Sequence, residues 1–225
     1  MKKVLIGASL FLTSLVSPAI AEEWDGFYVT AGGGLAVPKS VEADTTISGT
    51  KYDATYPTDD TGYFSIGIGR EINDDYRVEL NYSSATVETD SITVTSGGVG
   101  VTSSISPDLE SDVSTLMVFG FKDFKNETKL TPYAGLGLGW ATFDSDDQTV
   151  TLAGSDYDYK GGDETVFSYA LKAGAAYEIA ENTSLYAEAT YQNFGDFTIK
   201  ETGYETVNYD SNRFLAIGAG IRFSF

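Results

Sequence analysis

The chain of 225 residues contains neither histidine nor cysteine. Without them a Ser-His-Asp or Cys-His nucleophile system cannot form, and most zinc and copper sites lose their usual ligands. No disulfide can form either. A hydrolase built on two carboxylates stays open in principle, but no pair of acids stands out. The sequence therefore predicts a protein that is not an enzyme, with no catalytic residue, no metal site and no cofactor.

Positive charge is also scarce, with 14 basic against 33 acidic residues and a formal net charge of -19. An acidic protein repels the phosphates of nucleic acid, so nucleic acid is excluded as a partner. Aromatic residues make up 13% of the chain, a content that is too high for a disordered acidic polymer.

Long apolar runs are missing after the N-terminus. Residues 1–21 have the three parts of a secretory signal peptide: Lys2 and Lys3, an apolar stretch over 4–16, and the small residues Ala19 and Ala21. The stretch is shorter than the roughly 20 residues of a spanning helix. We expect cleavage after Ala21 and a single domain over residues 22–225. If that domain lies in a membrane it must be a closed β-barrel, because lipid tolerates no unpaired backbone.

The sequence is rich in segments in which apolar residues alternate with polar or small ones, a period-2 pattern that is typical of β-strands. Residues 213–225 place Leu215, Ile217 and Ile221 on one face and glycines on the other. The fourth predicted strand is apolar on both faces, so its orientation is ambiguous. The eight predicted strands are 26–37, 62–72, 76–87, 113–124, 130–143, 165–179, 183–194 and 213–225.

The connections alternate between short turns and long segments, which is the pattern of an outer-membrane barrel with short periplasmic turns and long extracellular loops. The long segments, 38–60, 89–112, 144–163 and 195–211, hold 19 of the 33 acidic residues and four basic ones. We therefore predict an all-β, closed, antiparallel, up-and-down transmembrane barrel of eight strands. Further alternation at 91–95 and 148–152 leaves hairpin extensions, or a ten-stranded barrel, as alternatives.

Six charged residues fall on the parity that faces the lumen, and we predict that they form a charged network there. A structural plug is favoured over an ion path because the interior of an eight-stranded barrel is just wide enough for side chains. Inward glycines are expected to keep the narrow lumen open and to let the strands coil tightly. Arg70 falls on the outward parity, where it can reach lipid headgroups. The predicted network consists of Arg77, Glu79, Lys172, Glu178, Glu188 and Arg222.

Several motifs resemble those of small outer-membrane barrels of the OmpA-like and Opa-like type, especially the alphaproteobacterial surface antigens. They are the C-terminal strand and the segments 24–29, 73–80, 117–124 and 131–137. The resemblance covers nearly the whole mature chain. It implies that Phe225 serves as the aromatic signal that the barrel-assembly machinery recognises. It further implies a location in the outer membrane of a Gram-negative bacterium, with lipid and lipopolysaccharide as neighbours.

Three functions are compatible with this pattern. The first is a non-enzymatic surface protein whose barrel anchors acidic loops with a structural, adhesive or antigenic role. Tyrosines in those loops suit protein contacts, so a host or cell-surface protein is a candidate partner. Acidic clusters such as Asp144 with Asp146 and Asp147 lack the spacing of a calcium loop. The second function is a porin-like channel for small solutes, and the third is a soluble periplasmic barrel that carries a ligand.

Overall fold

A computed structural model of the chain describes residues 25–47, 50–96, 99–152, 155–159, 162–195, 197–199, 207–209 and 213–225. The predicted signal peptide lies outside these residues. The described residues form fourteen strands: β1 Phe27–Pro38, β2 Val41–Ile47, β3 Thr50–Tyr56, β4 Thr61–Glu71, β5 Tyr76–Ser96, β6 Val99–Asp123, β7 Leu130–Ser145, β8 Gln148–Leu152, β9 Ser155–Tyr159, β10 Gly162–Ala180, β11 Thr183–Phe194, β12 Phe197–Ile199, β13 Val207–Tyr209 and β14 Arg213–Ser224.

Eight of these strands close into an antiparallel barrel in the order β1, β4, β5, β6, β7, β10, β11 and β14. Closure comes from pairing between the first and last strands, which runs from Tyr28 opposite Ser224 to Pro38 opposite Phe214. Every neighbouring pair in the ring is antiparallel. The predicted fold class is confirmed with eight strands, and the ten-stranded alternative is wrong.

The predicted strand ends agree with the structure at one end of the barrel and differ at the other. At the short turns the bounds agree within two residues. At the opposite end β5, β6 and β10 continue beyond the predicted limits, by nine residues in β5 and fourteen in β6. Near those limits the side chains change from apolar residues to Thr, Ser and Asp. A prediction based on hydrophobic alternation therefore could not detect that the backbone pairing continues.

Short connections and both ends of the barrel domain lie together, and we call this the short-turn end. Asn73 shapes one turn, since its Oδ1 accepts hydrogen bonds from the backbone N–H groups of Asp75 and Tyr76, each at 3.0 Å. Gly26 precedes β1 with a φ of 80°, a left-handed conformation that glycine adopts readily. Its carbonyl accepts a 2.7 Å hydrogen bond from Glu71 N–H. Phe225 N–H donates to the Phe27 carbonyl at 2.9 Å.

The opposite end carries a second set of pairings, which we call the hairpin extension. Strands β5 and β6 pair from Tyr76 opposite Lys122 to Ser96 opposite Val99, with a register shift between Thr89 and Ser91. The hairpins β2–β3, β8–β9 and β12–β13 join this extension through pairs of β13 with β2, β3 with β5, and β6 with β8. The predicted alternation at 91–95 lies within β5, and that at 148–152 is β8.

The two faces of the barrel differ as the alternation predicts. Outward positions carry large apolar side chains that are exposed on the isolated chain, such as Leu136 at 53%, Trp140 at 60% and Ile217 at 73%. Inward positions are buried, and they include Tyr28, Met117 and Phe119. An apolar exterior around a filled interior is the arrangement of a barrel that lies in lipid. Within the described part of the chain, no helix has the length and apolarity to cross a membrane.

Candidate functional site

The lumen near the short-turn end contains a group of buried charges centred on Arg77. Strand alternation directs Arg77 and Glu79 of β5 inward, and Asp123 at the end of β6 approaches from the neighbouring strand. Arg77 Nε lies 3.1 Å from both carboxylate oxygens of Asp123, and its Nη1 lies 3.6 Å from Glu79 Oε2. Arg77 Nη1 also donates a 3.0 Å hydrogen bond to Tyr28 Oη. A guanidinium that is only 2% exposed thus has three partners.

A second ion pair lies on the other side of the lumen. Lys172 of β10 and Glu188 of β11 are both buried, and Lys172 Nζ lies 2.7 Å from Glu188 Oε1. Tyr133 Oη donates to the other oxygen, Glu188 Oε2, at 3.0 Å. Both carboxylate oxygens therefore have a donor, as a buried carboxylate requires.

Arg222 lies between the two ion pairs and contacts aromatic rings. Its Cζ is 5.3 Å from the centroid of Tyr28 and 5.8 Å from that of Tyr133, within the range of cation–π attraction. Arg77 Cζ lies 3.8 Å from the centroid of Phe121. We call this group the charged layer; it contains three cations and three carboxylates and comprises Arg77, Glu79, Asp123, Lys172, Glu188 and Arg222, with the rings of Tyr28 and Tyr133.

The space left inside the charged layer is small. Most of its residues line a cavity of about 10 Å³, which is room for about one water molecule. Arg77 Nη2 and Arg222 Nε have no hydrogen-bond acceptor among the described protein atoms. The charged layer therefore fills most of the cross-section of the lumen at this level with side chains.

Five of the six predicted network residues lie in this layer, and one does not. Glu178 is exposed, because it lies next to the short turn after β10, where its N–H bonds to the Lys129 carbonyl at 3.0 Å. Sequence reasoning missed Asp123. It shares the inward parity of Phe119 and Phe121, but their strand is apolar on both faces and its orientation was left open. The structure turns Met117, Phe119 and Phe121 inward and leaves Leu116 and Val118 outward.

The inward glycines do not border open space in the lumen. At several of them, aromatic rings from neighbouring strands occupy the place of a side chain, and at Gly34 and Gly139 the backbone of a neighbouring strand does. A Cβ at Gly135 would overlap the ring of Phe121, one at Gly137 the ring of Phe119, and one at Gly174 would lie 2.7 Å from Tyr133 Cζ. Glycine therefore lets large rings fill the lumen and does not keep it open.

Toward the hairpin extension the lumen changes from charged to apolar. Phe194 is 3% exposed, and its ring centroid lies 5.2 Å from Phe143 in an edge-to-face contact and 5.3 Å from Phe214. We call this group the apolar layer; it consists of Val87, Val113, Ala141, Phe143, Val166, Phe194 and Phe214.

Carboxylates concentrate on the hairpin extension. In the strand register, Asp144 of β7 lies opposite Asp112 of β6 on one side and opposite Asp163 of β10 on the other. All three side chains are on the outward face and exposed. Asp112 accepts a 2.6 Å hydrogen bond from Thr86 Oγ1. No group of three or more metal-ligating side chains with the spacing of a metal site occurs among the described residues. The extension therefore presents solvated negative charge beyond the apolar exterior.

Comparison with known proteins agrees with this architecture. PagN, an outer membrane protein of Salmonella typhimurium, is 26% identical over 229 residues, covering 92% of this chain and 93% of PagN. The crystal structure of OprG from Pseudomonas aeruginosa superposes with a TM-score of 0.56 at 16% identity, covering 89% of this chain and 97% of OprG. Neisserial surface protein A has a TM-score of 0.52 at 20% identity, with 89% and 98% covered. These two likenesses show the fold alone.

The family assignment rests on most of the chain. Residues 6–223 match the model of the outer membrane protein beta-barrel domain. Together with the closed eight-stranded barrel and its apolar exterior, this match shows that the chain belongs to the outer membrane protein beta-barrel domain family and resides in the outer membrane.

Proposed function

We propose that this chain is a non-enzymatic surface protein, whose barrel anchors the acidic hairpin extension outside the cell for structural or adhesive contacts. The observation that carries the proposal is the β5–β6 hairpin, whose backbone pairing extends past the barrel and, after one register shift between Thr89 and Ser91, reaches Ser96 and Val99. A ladder of this length, joined by three further hairpins, holds a binding surface at a fixed distance from the membrane.

The charge of the extension supports an exposed position. Glu88, Asp90 and Glu110 are exposed on the part of β5 and β6 that has left the barrel. Carboxylates are costly in lipid and favourable in water. We infer that the short turns face the periplasm and that the exterior near the extension contacts lipopolysaccharide.

Three elements of the proposal come from the sequence. Export by the signal peptide with cleavage after Ala21 remains a prediction, which the mass of the protein purified from outer membranes tests. The assembly role of Phe225 remains a prediction as well. The absence of histidine supports a role without catalysis.

Orientation can be tested with single cysteines, because the chain has none. Asp59→Cys and Asp146→Cys lie at the hairpin end, and Glu127→Cys lies in a short turn as the matched control. In intact cells a membrane-impermeant maleimide should label the first two, and the third only after the outer membrane is permeabilised. If only Glu127→Cys were labelled in intact cells, the short turns would face outside, and the proposal would be overturned.

The contact role needs a separate test. A variant in which residues 90–108 are replaced by a two-residue turn should keep the barrel and lose much of the extension. Cells expressing it should attach less to cultured animal cells than cells expressing the whole chain at equal surface amounts. Equal attachment would contradict adhesion through this hairpin. A gel shift on boiling in SDS, the signature of a folded barrel, is the control.

A further inference from the structure

We propose that the outward face of β4, β5 and β6 at the short-turn end binds the phosphate of an anionic phospholipid. In the proposed orientation this surface meets the periplasmic leaflet. The site consists of Arg70, Tyr76 and Lys122 around the headgroup and of a recess at Gly120 for an acyl chain.

The first observation is the position of two cations on the lipid-facing surface. Arg70 and Lys122 both point outward and are exposed. In register, Arg70 pairs with Val78 of β5, and Lys122 pairs with Tyr76 of the same strand. The two cations are thus separated by two strand spacings, about 10 Å, and by two residues along the strand, about 7 Å, which together give about 12 Å between the backbones. Two long side chains can span this distance to reach one phosphate.

The second observation is that aromatic rings lie beside these cations, and no carboxylate of the described residues forms an ion pair with them. Arg70 Cζ lies 5.0 Å from the centroid of Phe27, and Lys122 Nζ lies 5.3 Å from that of Tyr76 and 5.8 Å from that of Phe124. Lys122 Nζ donates a weak 3.4 Å hydrogen bond to Tyr76 Oη. Among the described residues neither cation has a carboxylate within ion-pair distance. Their donors are therefore available to a phosphate.

The third observation concerns charge on the same surface. The carboxylates at this end of the barrel strands, Glu71, Asp123 and Glu178, have the inward parity. The outward positions of the barrel strands at this end, as far as the structure describes them, carry the two cations and no acid. The chain has a net charge of -19, yet the outward strand positions at this end carry positive charge, and the exposed acids Asp74 and Asp75 lie in the adjoining turn. The positive charge of the strand positions complements an anionic headgroup.

The fourth observation is a recess in the apolar surface directly beside Lys122. Gly120 is an outward position of β6 that pairs with Val78 on one side and Leu136 on the other. A Cβ placed on Gly120 would have no atom within 4 Å. The space above Gly120 is therefore open, and because glycine has no side chain while Val78 and Leu136 beside it do, the surface is lower at this position. This shallow depression lies two residues, about 7 Å, from Lys122 on the bilayer side. An acyl chain that follows its headgroup into the bilayer can occupy this depression.

Lipid selectivity tests the site directly. The protein is reconstituted in phosphatidylcholine vesicles that contain spin-labelled phosphatidylglycerol or spin-labelled phosphatidylcholine, and the motionally restricted fraction of each is measured. We expect the ratio of association constants to favour phosphatidylglycerol. Removing each cation, as Arg70→Gln or Lys122→Gln, should lower the ratio about fivefold. A ratio that the double variant leaves unchanged would overturn the proposal.

The matched control removes the same charge at the same end but away from the lipid-facing strands. Lys125→Gln/Lys129→Gln changes two exposed lysines of the β6–β7 turn and should leave the ratio intact. If it lowers the ratio as much as Arg70→Gln/Lys122→Gln does, general rim charge explains the selectivity and the site is wrong. The boiling shift in SDS verifies that each variant folds.

Gly120→Leu tests the recess with all charges retained. It should fold, since nothing lies where its side chain begins, and it should displace the acyl chain and lower the ratio. On the unaltered protein, raising the salt concentration should also lower the ratio by screening. An unchanged ratio in Gly120→Leu would remove the acyl-chain contact from the proposal, and a salt-independent ratio would contradict headgroup binding. These measurements involve neither adhesion nor cysteine labelling. A negative result for the lipid site can therefore be distinguished from a negative result for the proposed function.

Discussion

The two ends of the lumen fill the same narrow space with opposite chemistry. The charged layer is held by directional contacts, such as the 2.7 Å pair of Lys172 with Glu188. The apolar layer is held by shape, with the rings of Phe143 and Phe214 both packed against the ring of Phe194. The difference shows that the position of a residue in the strand alternation determines whether its side chain faces the lumen. It does not determine whether that side chain is charged or apolar. A directional network should fail when one partner is lost, whereas an apolar layer should lose stability in proportion to the volume removed.

The largest effect is expected from breaking the buried ion pair on one side only. Lys172→Met leaves Glu188 buried without its cation and should lower the free energy of unfolding by about 3–5 kcal/mol. Lys172→Met/Glu188→Gln removes both charges at similar volume and should recover most of that loss. Guanidinium unfolding in lipid vesicles, followed by tryptophan fluorescence, measures both variants.

An exposed pair supplies the control for this comparison. Lys51 and Asp53 lie 2.9 Å apart with side chains 62% and 57% exposed. Lys51→Met should change stability by less than about 1 kcal/mol. If the double variant in the lumen were as unstable as Lys172→Met alone, the pair would not be coupled, and the description of this layer as a network would be wrong.

The next effect is expected in the apolar layer. Phe194→Ala should cost about 3 kcal/mol, at the low end for a buried phenylalanine because the half-buried rings of Phe143 and Phe214 can partly close the cavity. The loss should not change with salt. Phe167→Ala is the control, since Phe167 is 53% exposed on the outward face and its removal leaves no internal cavity. Equal losses in the two variants would contradict packing at this level.

A smaller effect is expected where one charge has several partners. Asp123→Asn should cost about 1.5 kcal/mol, because Arg77 keeps Glu79 and Tyr28. Glu79→Gln/Asp123→Asn leaves Arg77 without a carboxylate and should cost clearly more than the sum of the two single changes. Unfolding of the four proteins in one double-mutant cycle measures this coupling. Additive losses would show that Arg77 does not join its two carboxylates into one group.

The sequence predicted the barrel well, because lipid outside and packed side chains inside impose strict alternation along each strand. It placed Arg77, Glu79, Lys172, Glu188 and Arg222 inward, since each lies opposite apolar neighbours in a clear period-2 pattern. It could not place Asp123, because inward Phe119 and Phe121 are as apolar as the lipid-facing side chains between them. Glu178 shares the inward parity and lies one residue before the predicted end of its strand, but parity does not show how close to the strand end the lumen stays enclosed.

The smallest expected effect is on the conductance of ions through the lumen. The charged and apolar layers lie in series along one lumen, so opening either should leave the other closed. Planar bilayers should therefore show background conductance for the unaltered protein, for Lys172→Ala/Glu188→Ala and for Phe194→Ala. The triple variant Lys172→Ala/Glu188→Ala/Phe194→Ala widens both layers, and we expect small-ion conductance in this variant. Conductance in the unaltered protein that Glu188→Ala alters would favour the porin-like channel. Conductance in the charged-layer variant alone would show that the apolar layer does not close the lumen.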